Sequence, residues 1–159
     1  MILLPVLLAL SGWLQQPPLS EPPIAGVWKL NPEKSGMRGV PADYVESRQY
    51  SMRADGYLVG LLINGTPRGG YHYLQFVAKS DGKDYPEYSD SIVADMIAAG
   101  TRTPRSYAET KIDDSTTAWI DKVDGKITAQ GKKIVSKDGQ TLTITTDGQP
   151  GARVYDRVP

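Results

Sequence analysis

Cysteine is absent from the chain, and histidine occurs once, at His72. The absence of cysteine excludes disulfide bonds, thiol chemistry and cysteine-ligated zinc. A single histidine cannot build a multi-histidine zinc site, so we predict no metal site and no cofactor. A catalytic histidine needs a carboxylate and a nucleophile in reach, and the sequence places neither beside His72. We interpret His72 as a structural or surface residue, with donation of a hydrogen bond to a ligand as the alternative.

An excess of charge of one sign is also missing, because 18 basic residues balance 18 acidic ones. No basic cluster interleaved with aromatic residues occurs, so we predict no nucleic-acid partner. The sequence lacks Gly-x-Ser-x-Gly, phosphate-binding and dinucleotide-binding motifs, and we predict that the chain is not an enzyme. Tyrosine is plentiful instead, with 9 tyrosines and 3 tryptophans against 1 phenylalanine. These amphipathic rings suit half-solvated barrel walls and binding surfaces.

The N-terminal apolar run, residues 1–14, is too short to span a bilayer about 30 Å thick, so we predict no stable membrane span. It has the length of a signal-peptide core, with small residues for cleavage near Ser11. A short interfacial anchor or a misplaced start codon would be the alternative. Residues 12–23 are rich in proline and predict an extended linker. We therefore predict a signal peptide over 1–11, a linker over 12–23 and one folded domain over 24–159.

Pairs of Asp-Gly or Asn-Gly punctuate that domain, starting at Asp55, Asn64, Asp81, Asp124, Asp138 and Asp147. Each pair can supply the positive φ angles of a tight type I′ turn between antiparallel strands. Runs rich in Thr, Val, Ile and Tyr lie between the pairs. They predict strands over 24–30, 44–53, 57–63, 71–79, 105–112, 116–123, 126–136, 141–146 and 152–158.

The segment 84–103 departs from this pattern. Ile92, Met96 and Ile97 would share one helical face, and Gly100 suits the position after a helix end. We predict a short helix near 90–99, with an irregular strand as the alternative. The fold class is therefore all-β, an antiparallel up-and-down barrel of about 8–10 strands with one short helix.

Four segments resemble those that recur in a family of exported bacterial lipocalin-like proteins, mostly without a known activity. They are AGVWKLNPEKS at 25–35, DGKDYP at 81–86, VSKDGQTLTITTDG at 135–148 and VYDRV at 154–158. The resemblance covers most of 25–158 and is weakest between Tyr88 and Arg105. It implies a calycin-type, lipocalin-like barrel in a secreted or periplasmic bacterial protein, able to hold a small apolar ligand.

The resemblance also implies roles for residues at one end of the barrel. The Gly-x-Trp of Gly26 to Trp28 is similar to the lipocalin motif, in which the tryptophan packs near the closed end beneath an arginine of a late strand. Arg157 or Arg153 is the candidate for that arginine. We expect these residues to be structural.

The best candidates for a ligand site are Glu46, Arg48, Tyr50, Tyr71, His72 and Tyr73. The first three alternate along one face of a predicted strand. If that face points inward, it forms a cavity with a few polar anchors among aromatic rings, as small-molecule sites do. The mixed polar pattern favours the other orientation, a solvated outward face.

An acidic cluster follows the fourth predicted strand, at Asp81, Asp84, Glu87 and Asp90. Its spacing is not that of a calcium-binding EF-hand loop. We interpret these residues as solvated turn carboxylates.

Three functions remain open on the sequence alone. The leading hypothesis is a secreted or periplasmic protein that binds a small, largely apolar ligand. The alternatives are a ligand-free structural or interaction module of the cell envelope and a barrel-based hydrolase or isomerase using His72. The volume of the barrel interior separates the first two, because ligand sites measure roughly 300–1,000 Å³.

Overall fold

A computed structural model describes residues 21–99 and 104–159. The elements are β1 (Gly26–Leu30), β2 (Val45–Met52), β3 (Leu58–Thr66), β4 (Gly70–Ala78), β5 (Tyr85–Ser89), α1 (Asp90–Ala99), β6 (Arg105–Lys111), β7 (Thr116–Val123), β8 (Lys126–Val135), β9 (Thr141–Thr146) and β10 (Ala152–Val158). The predicted signal peptide and most of the predicted linker lie outside the described residues. Within the described ranges, no helix has both the length and the apolar character needed to cross a membrane.

The strands form a closed antiparallel barrel in which each strand pairs with its neighbours in the chain. The first and last strands close it, with Val27 opposite Val158 and Leu30 opposite Tyr155. This confirms the predicted all-β up-and-down barrel with one short helix. The sequence pattern misses β5, because Pro86 interrupts a run of only five residues.

The Asp-Gly pairs lie between strands, as the sequence predicts, but the type I′ geometry forms at one of them. Asp124 has a φ of 51° and Gly125 a φ of 73°, as a type I′ turn requires, whereas at the other Asp-Gly pairs only the glycine has a positive φ. The pair Asn64-Gly65 is an exception, because it lies inside β3. A Cβ at Gly65 would collide with the carbonyl oxygen of Gly70. Glycine is needed there for the close approach of β3 and β4, so the predicted turn is wrong at this pair.

Because successive strands run in opposite directions, their connections gather at two ends of the barrel. The end that carries residues 21–25 and the turns 53–57, 112–115 and 136–140 is called the linker end. The opposite end carries the loop 31–44 and α1 and is called the helix end. Along each strand the side chains alternate between the interior and the outer surface.

Trp28 anchors the core near the linker end and is fully buried. Its indole Nε1 donates a hydrogen bond to the carbonyl oxygen of Ile24 at 2.8 Å. Of the two candidate arginines, Arg157 covers the tryptophan, with its guanidinium 4.2 Å from the ring centroid. Arg153 lies elsewhere and pairs with Glu46.

The same guanidinium ties the start of the domain to its end. Arg157 donates hydrogen bonds to the backbone carbonyl oxygens of Pro23, Ala25 and Gly139. Gly26 leaves the space that this side chain fills, since a Cβ there would overlap the Arg157 guanidinium. The residues named from the Gly-x-Trp motif therefore form one structural cluster with Arg157.

One junction between strands is weak in backbone pairing. β5 and β6 pair at two positions, Tyr85 with Tyr107 and Pro86 with Ser106. The chain leaves the sheet beyond β5 to form α1 before it returns as β6. We call this junction the β5–β6 seam. Towards the helix end, side chains of Glu87 and Arg105 bridge it.

Candidate functional site

A cavity of about 140 Å³ lies inside the barrel, and we call it the inner cavity. Its apolar and aromatic lining consists of Tyr50, Leu62, Leu74, Phe76, Tyr107, Trp119 and Ile144. Its polar lining consists of Arg48, Asp121, Lys133, Thr146 and Arg153. Aromatic walls with several charged groups are the composition expected of a small-molecule site.

Stacked rings form one wall of the inner cavity. Phe76 and Tyr107 lie with ring centroids 3.8 Å apart and planes inclined at 21°. Tyr50 is tilted against Phe76 at 6.5 Å. An engineered apolar cavity of about 150 Å³ accepts benzene. The inner cavity therefore has room for a single aromatic ring and is too small for a long acyl chain.

Glu46 is the centre of a first ionic cluster and is almost fully buried. Its carboxylate accepts hydrogen bonds from Tyr155 at 2.5 Å, from Tyr44 at 2.9 Å and from Arg153. Arg48 approaches the same carboxylate at 3.8 Å and donates to the Tyr155 hydroxyl at 2.9 Å. Two guanidinium groups thus share one carboxylate at the edge of the inner cavity.

Lys133 and Glu109 form a second ionic cluster in the middle of the barrel, and both are buried. The Lys133 ammonium donates to the Glu109 carboxylate and, at 2.7 Å, to the Tyr107 hydroxyl. Glu109 also accepts from Tyr107 at 2.5 Å and from Ser80 at 3.0 Å. Burial acts to raise the pKa of Glu109, but Lys133 and these donors hold that pKa below its usual value.

The Lys133 ammonium also faces aromatic rings. It lies 5.0 Å from the ring centroid of Tyr50, 5.6 Å from that of Phe76 and 5.3 Å from that of Tyr107. Rings at this range stabilise a cation that has lost its water. The cation is therefore held by an ion pair and by the walls of the inner cavity.

A third cluster lies at the β5–β6 seam. Glu87 is buried, and its carboxylate is 3.1 Å from the Arg105 guanidinium. Burial raises the pKa of Glu87 to about 7, assisted by the charge of Asp121. Burial also raises the pKa of Asp121 to about 6, against the attraction of Arg105. The interior therefore holds carboxyl groups that exchange protons near neutral pH.

Trp119, which lines the inner cavity, carries a buried donor that has no partner among the described residues. The indole Nε1 of Trp119 is inaccessible to solvent and makes no hydrogen bond with any described residue. An unsatisfied buried donor costs about 1–3 kcal/mol. A bound molecule that supplies an acceptor at this point would recover that free energy.

The predicted site residues separate into two groups. Glu46, Arg48 and Tyr50 face the interior, so the favoured outward orientation is wrong. Their charges are tolerated inside because Arg153 and Tyr155, more than 100 positions away in the chain, supply the partners.

Tyr71, His72 and Tyr73 are instead exposed on β4 and line neither the inner cavity nor its ionic clusters. The His72 imidazole Nδ1 lies 2.6 Å from an Asp90 carboxylate oxygen. That pair is open to solvent, with 66% of the His72 side chain exposed. It therefore lacks the enclosed cleft in which a histidine–carboxylate pair would support the hydrolase hypothesis.

The acidic cluster is also divided. Asp81 and Asp84 lie at the surface, where Asp84 accepts from Lys122. Glu87 points into the barrel, so its interpretation as a solvated carboxylate is wrong. The reason is that Glu87 alternates along β5 with half-buried Tyr85 and buried Ser89, so the three side chains share the inner face of the strand. Among the described residues, no three His, Asp or Glu side chains are grouped to hold a metal ion.

Sequence reasoning missed the other half of the site: Tyr107, Glu109, Trp119, Asp121 and Lys133. The sequence does carry a signal for two of these residues, Tyr107 and Glu109. Tyr107 and Glu109 alternate on one strand face, as Glu46 and Tyr50 do. The repeated alternation of a carboxylate with a tyrosine identifies a polar face on each strand, but it does not show which way that face points. Nothing local identifies Lys133, which sits in a run with the exposed Lys132.

Comparison with known proteins shows the fold. No protein-family model matches the chain, and no curated protein sequence matches it. Among solved structures, the chain is similar to the fluorescent protein UnaG. The wild-type crystal structure has 18% identity and a TM-score of 0.50, over 84% of this chain and 96% of that chain. A single-site mutant of UnaG has 17% identity and a TM-score of 0.52, over 86% and 97%.

This likeness supports a calycin-type barrel, which is the coarser part of the predicted resemblance. The bacterial origin and export remain predictions.

Proposed function

We propose that the chain is an exported protein that binds a small molecule in the inner cavity. The observation that carries this proposal concerns Trp119, which lines a cavity walled by Tyr50, Phe76 and Tyr107 and whose Nε1 has no hydrogen-bond partner in the described part of the chain. The ligand would have an apolar part the size of one aromatic ring and an acceptor that takes the indole hydrogen bond. Likeness to a fluorescent protein of the same fold is compatible with a molecule in the barrel.

The size of the inner cavity favours a second candidate. A volume of about 140 Å³ is below the roughly 300–1,000 Å³ typical of ligand sites. A barrel whose interior is filled by its own ion pairs could serve as a ligand-free structural or interaction module of the cell envelope.

Titration with benzene, phenol and benzoate separates these functions. The indole N–H signal of Trp119 in a nitrogen–proton correlation spectrum should shift on binding. The signal of Trp28, whose N–H is already bonded to Ile24, should stay in place. Leu62→Trp, which fills the inner cavity, should abolish the shift. If none of the three molecules shifts the Trp119 signal, the result contradicts binding in the inner cavity and supports the ligand-free module. Native mass spectrometry of protein from its own source would show a natural ligand directly.

Export needs its own measurement. Expression of the full chain in a bacterium, followed by fractionation and N-terminal sequencing of the mature protein, should find a periplasmic or secreted product that begins near residue 12. A product that retains Met1 in the cytoplasm would contradict export and leave the ligand site untouched.

A further inference from the structure

A second and larger cavity opens at the linker end of the barrel. It measures about 540 Å³, within the range of small-molecule sites, and we call it the end compartment. Its inner walls are apolar and consist of Ile24, Met52, Leu58 and Val135. Its outer rim carries Lys111, Asp113, Asp114 and Ser115 of the β6–β7 turn, and residues 21–23 form part of its wall.

The end compartment is distinct from the inner cavity. Of the residues that the structure describes, Lys133 alone lines both cavities. Its ion pair with Glu109, together with the Tyr107 hydroxyl, forms a partition between the two spaces. A molecule in the end compartment would touch one side of this partition, and a molecule in the inner cavity the other.

Both cations that line the end compartment, Lys111 and Lys133, are already paired with carboxylates. On its floor, the Glu109 carboxylate is bonded to Lys133, Tyr107 and Ser80. At its rim, Lys111 lies 2.7 Å from Asp114, and the Asp113 carboxylate accepts from Ser115. An anionic ligand would have to displace one of these carboxylates or enter the compartment unpaired, which is costly in an enclosed space. The two other carboxylates of the lining, Glu21 and Asp113, are exposed to solvent, which screens their attraction for a cation.

One polar group of the floor remains without a partner. The Thr117 hydroxyl is buried and makes no hydrogen bond within the described part of the chain. It lines the end compartment. A hydroxyl both donates and accepts, so it can meet either a carbonyl or another hydroxyl.

We propose that the end compartment is a second ligand site, for an uncharged molecule with an apolar body and one hydroxyl or carbonyl group that hydrogen-bonds to Thr117. The apolar walls exclude strongly hydrated ligands, and the neutral floor gives no advantage to ions. The site is independent of the ligand proposed for the inner cavity, because the partition separates them.

Nile red tests this proposal, since it is an uncharged, apolar dye with one carbonyl group whose fluorescence rises in apolar surroundings. The full chain should bind it with a single site. Met52→Trp, which places a larger side chain in the wall of the end compartment, should lower the affinity at least tenfold. The matched variant Leu62→Trp, which fills the inner cavity, should keep the affinity for the dye within about twofold of the wild-type value. Thr117→Val keeps the shape of the side chain and should weaken binding roughly threefold to tenfold, as expected for one neutral hydrogen bond.

The pair of tryptophan variants keeps the two sites distinguishable. Circular dichroism spectra and thermal melts of all three variants identify any that fail to fold. Dye binding that Leu62→Trp abolishes and Met52→Trp leaves intact would overturn the proposal and assign the dye to the inner cavity. Absence of dye binding by the folded wild-type chain would also overturn it, without bearing on the response of Trp119 to single-ring molecules.

Discussion

Removing the charge of Lys133 tests the central ion pair of the barrel. Lys133 and Glu109 are 3% and 2% exposed, so neither charge can recover water when its partner is lost. Lys133→Met keeps most of the side-chain volume and removes the ammonium. Glu109→Gln keeps one acceptor oxygen, which can accept from the hydroxyl of either Tyr107 or Ser80. The double variant removes both charges together.

The three variants should differ strongly in stability. Lys133→Met leaves a buried carboxylate uncompensated and should lower the free energy of unfolding by about 3–5 kcal/mol. Glu109→Gln should cost less, about 1–3 kcal/mol, because Lys133 keeps the Tyr107 hydroxyl and three aromatic rings. The double variant should lie within about 2 kcal/mol of wild type, since removing both members of a buried ion pair leaves no buried charge without a partner.

Urea denaturation of all four proteins at one pH measures the coupling free energy of the pair. We expect at least about 2 kcal/mol, the signature of two charges that depend on each other. Lowering the pH should reduce the cost of Lys133→Met, because the stranded carboxylate then takes up a proton. A coupling free energy near zero, with single variants close to wild type, would show that both groups are solvated and that the partition between the cavities is open.

Three further predictions concern the core, the acidic residues and the closure of the barrel. Trp28→Ala should lower the free energy of unfolding by about 3–5 kcal/mol, and Trp28→Phe should lower it clearly less. If the melting temperature of Trp28→Ala falls by only a degree or two, the ring is not part of the core. Burial raises the folded pKa values of Glu87 and Asp121 to about 7 and 6. The folded state therefore binds protons more tightly than the unfolded state, and the free energy of unfolding should fall from about pH 4 to pH 8. The loss should be up to about 6 kcal/mol for the pair, at about 1.4 kcal/mol per pKa unit. Asp121→Asn should flatten the profile, and urea melts across this range can check both expectations. Deleting 151–159 removes β10 and should give an aggregating product without a cooperative melt; a monomer with an unchanged midpoint would contradict the closed barrel.

The barrel could be predicted because its signals are local. An Asp-Gly pair such as Asp138-Gly139 marks a turn wherever the chain goes next, and alternation along 141–146 marks a strand beside it. The helix at 90–99 was equally local, with a polar start and spaced apolar residues. β5 escaped prediction because it is short and contains Pro86, so its pairing with β4 depends on the rest of the sheet.

The direction in which a polar strand face points could not be predicted, because the deciding contacts are distant in sequence. Glu46 is stable inside the barrel only when β2 and β10 bring Arg153 and Tyr155 to it. The same holds for Lys133, whose partner lies on β6. Sequence alternation identifies a face as polar, but only the closed barrel shows that the charges on it neutralise each other.

The β5–β6 seam has a consequence for the speed of ligand exchange. Two backbone pairs hold these strands, whereas β2 and β3 pair along the whole of Val45–Met52. The seam therefore separates at a lower free energy than the other strand pairs, and local opening there need not unfold the barrel. Tyr107 and Asp121, which line the inner cavity, lie directly behind it. A molecule enclosed in that cavity would leave at the rate at which the seam opens, so its residence time is set by this junction and not by the strength of its contacts alone.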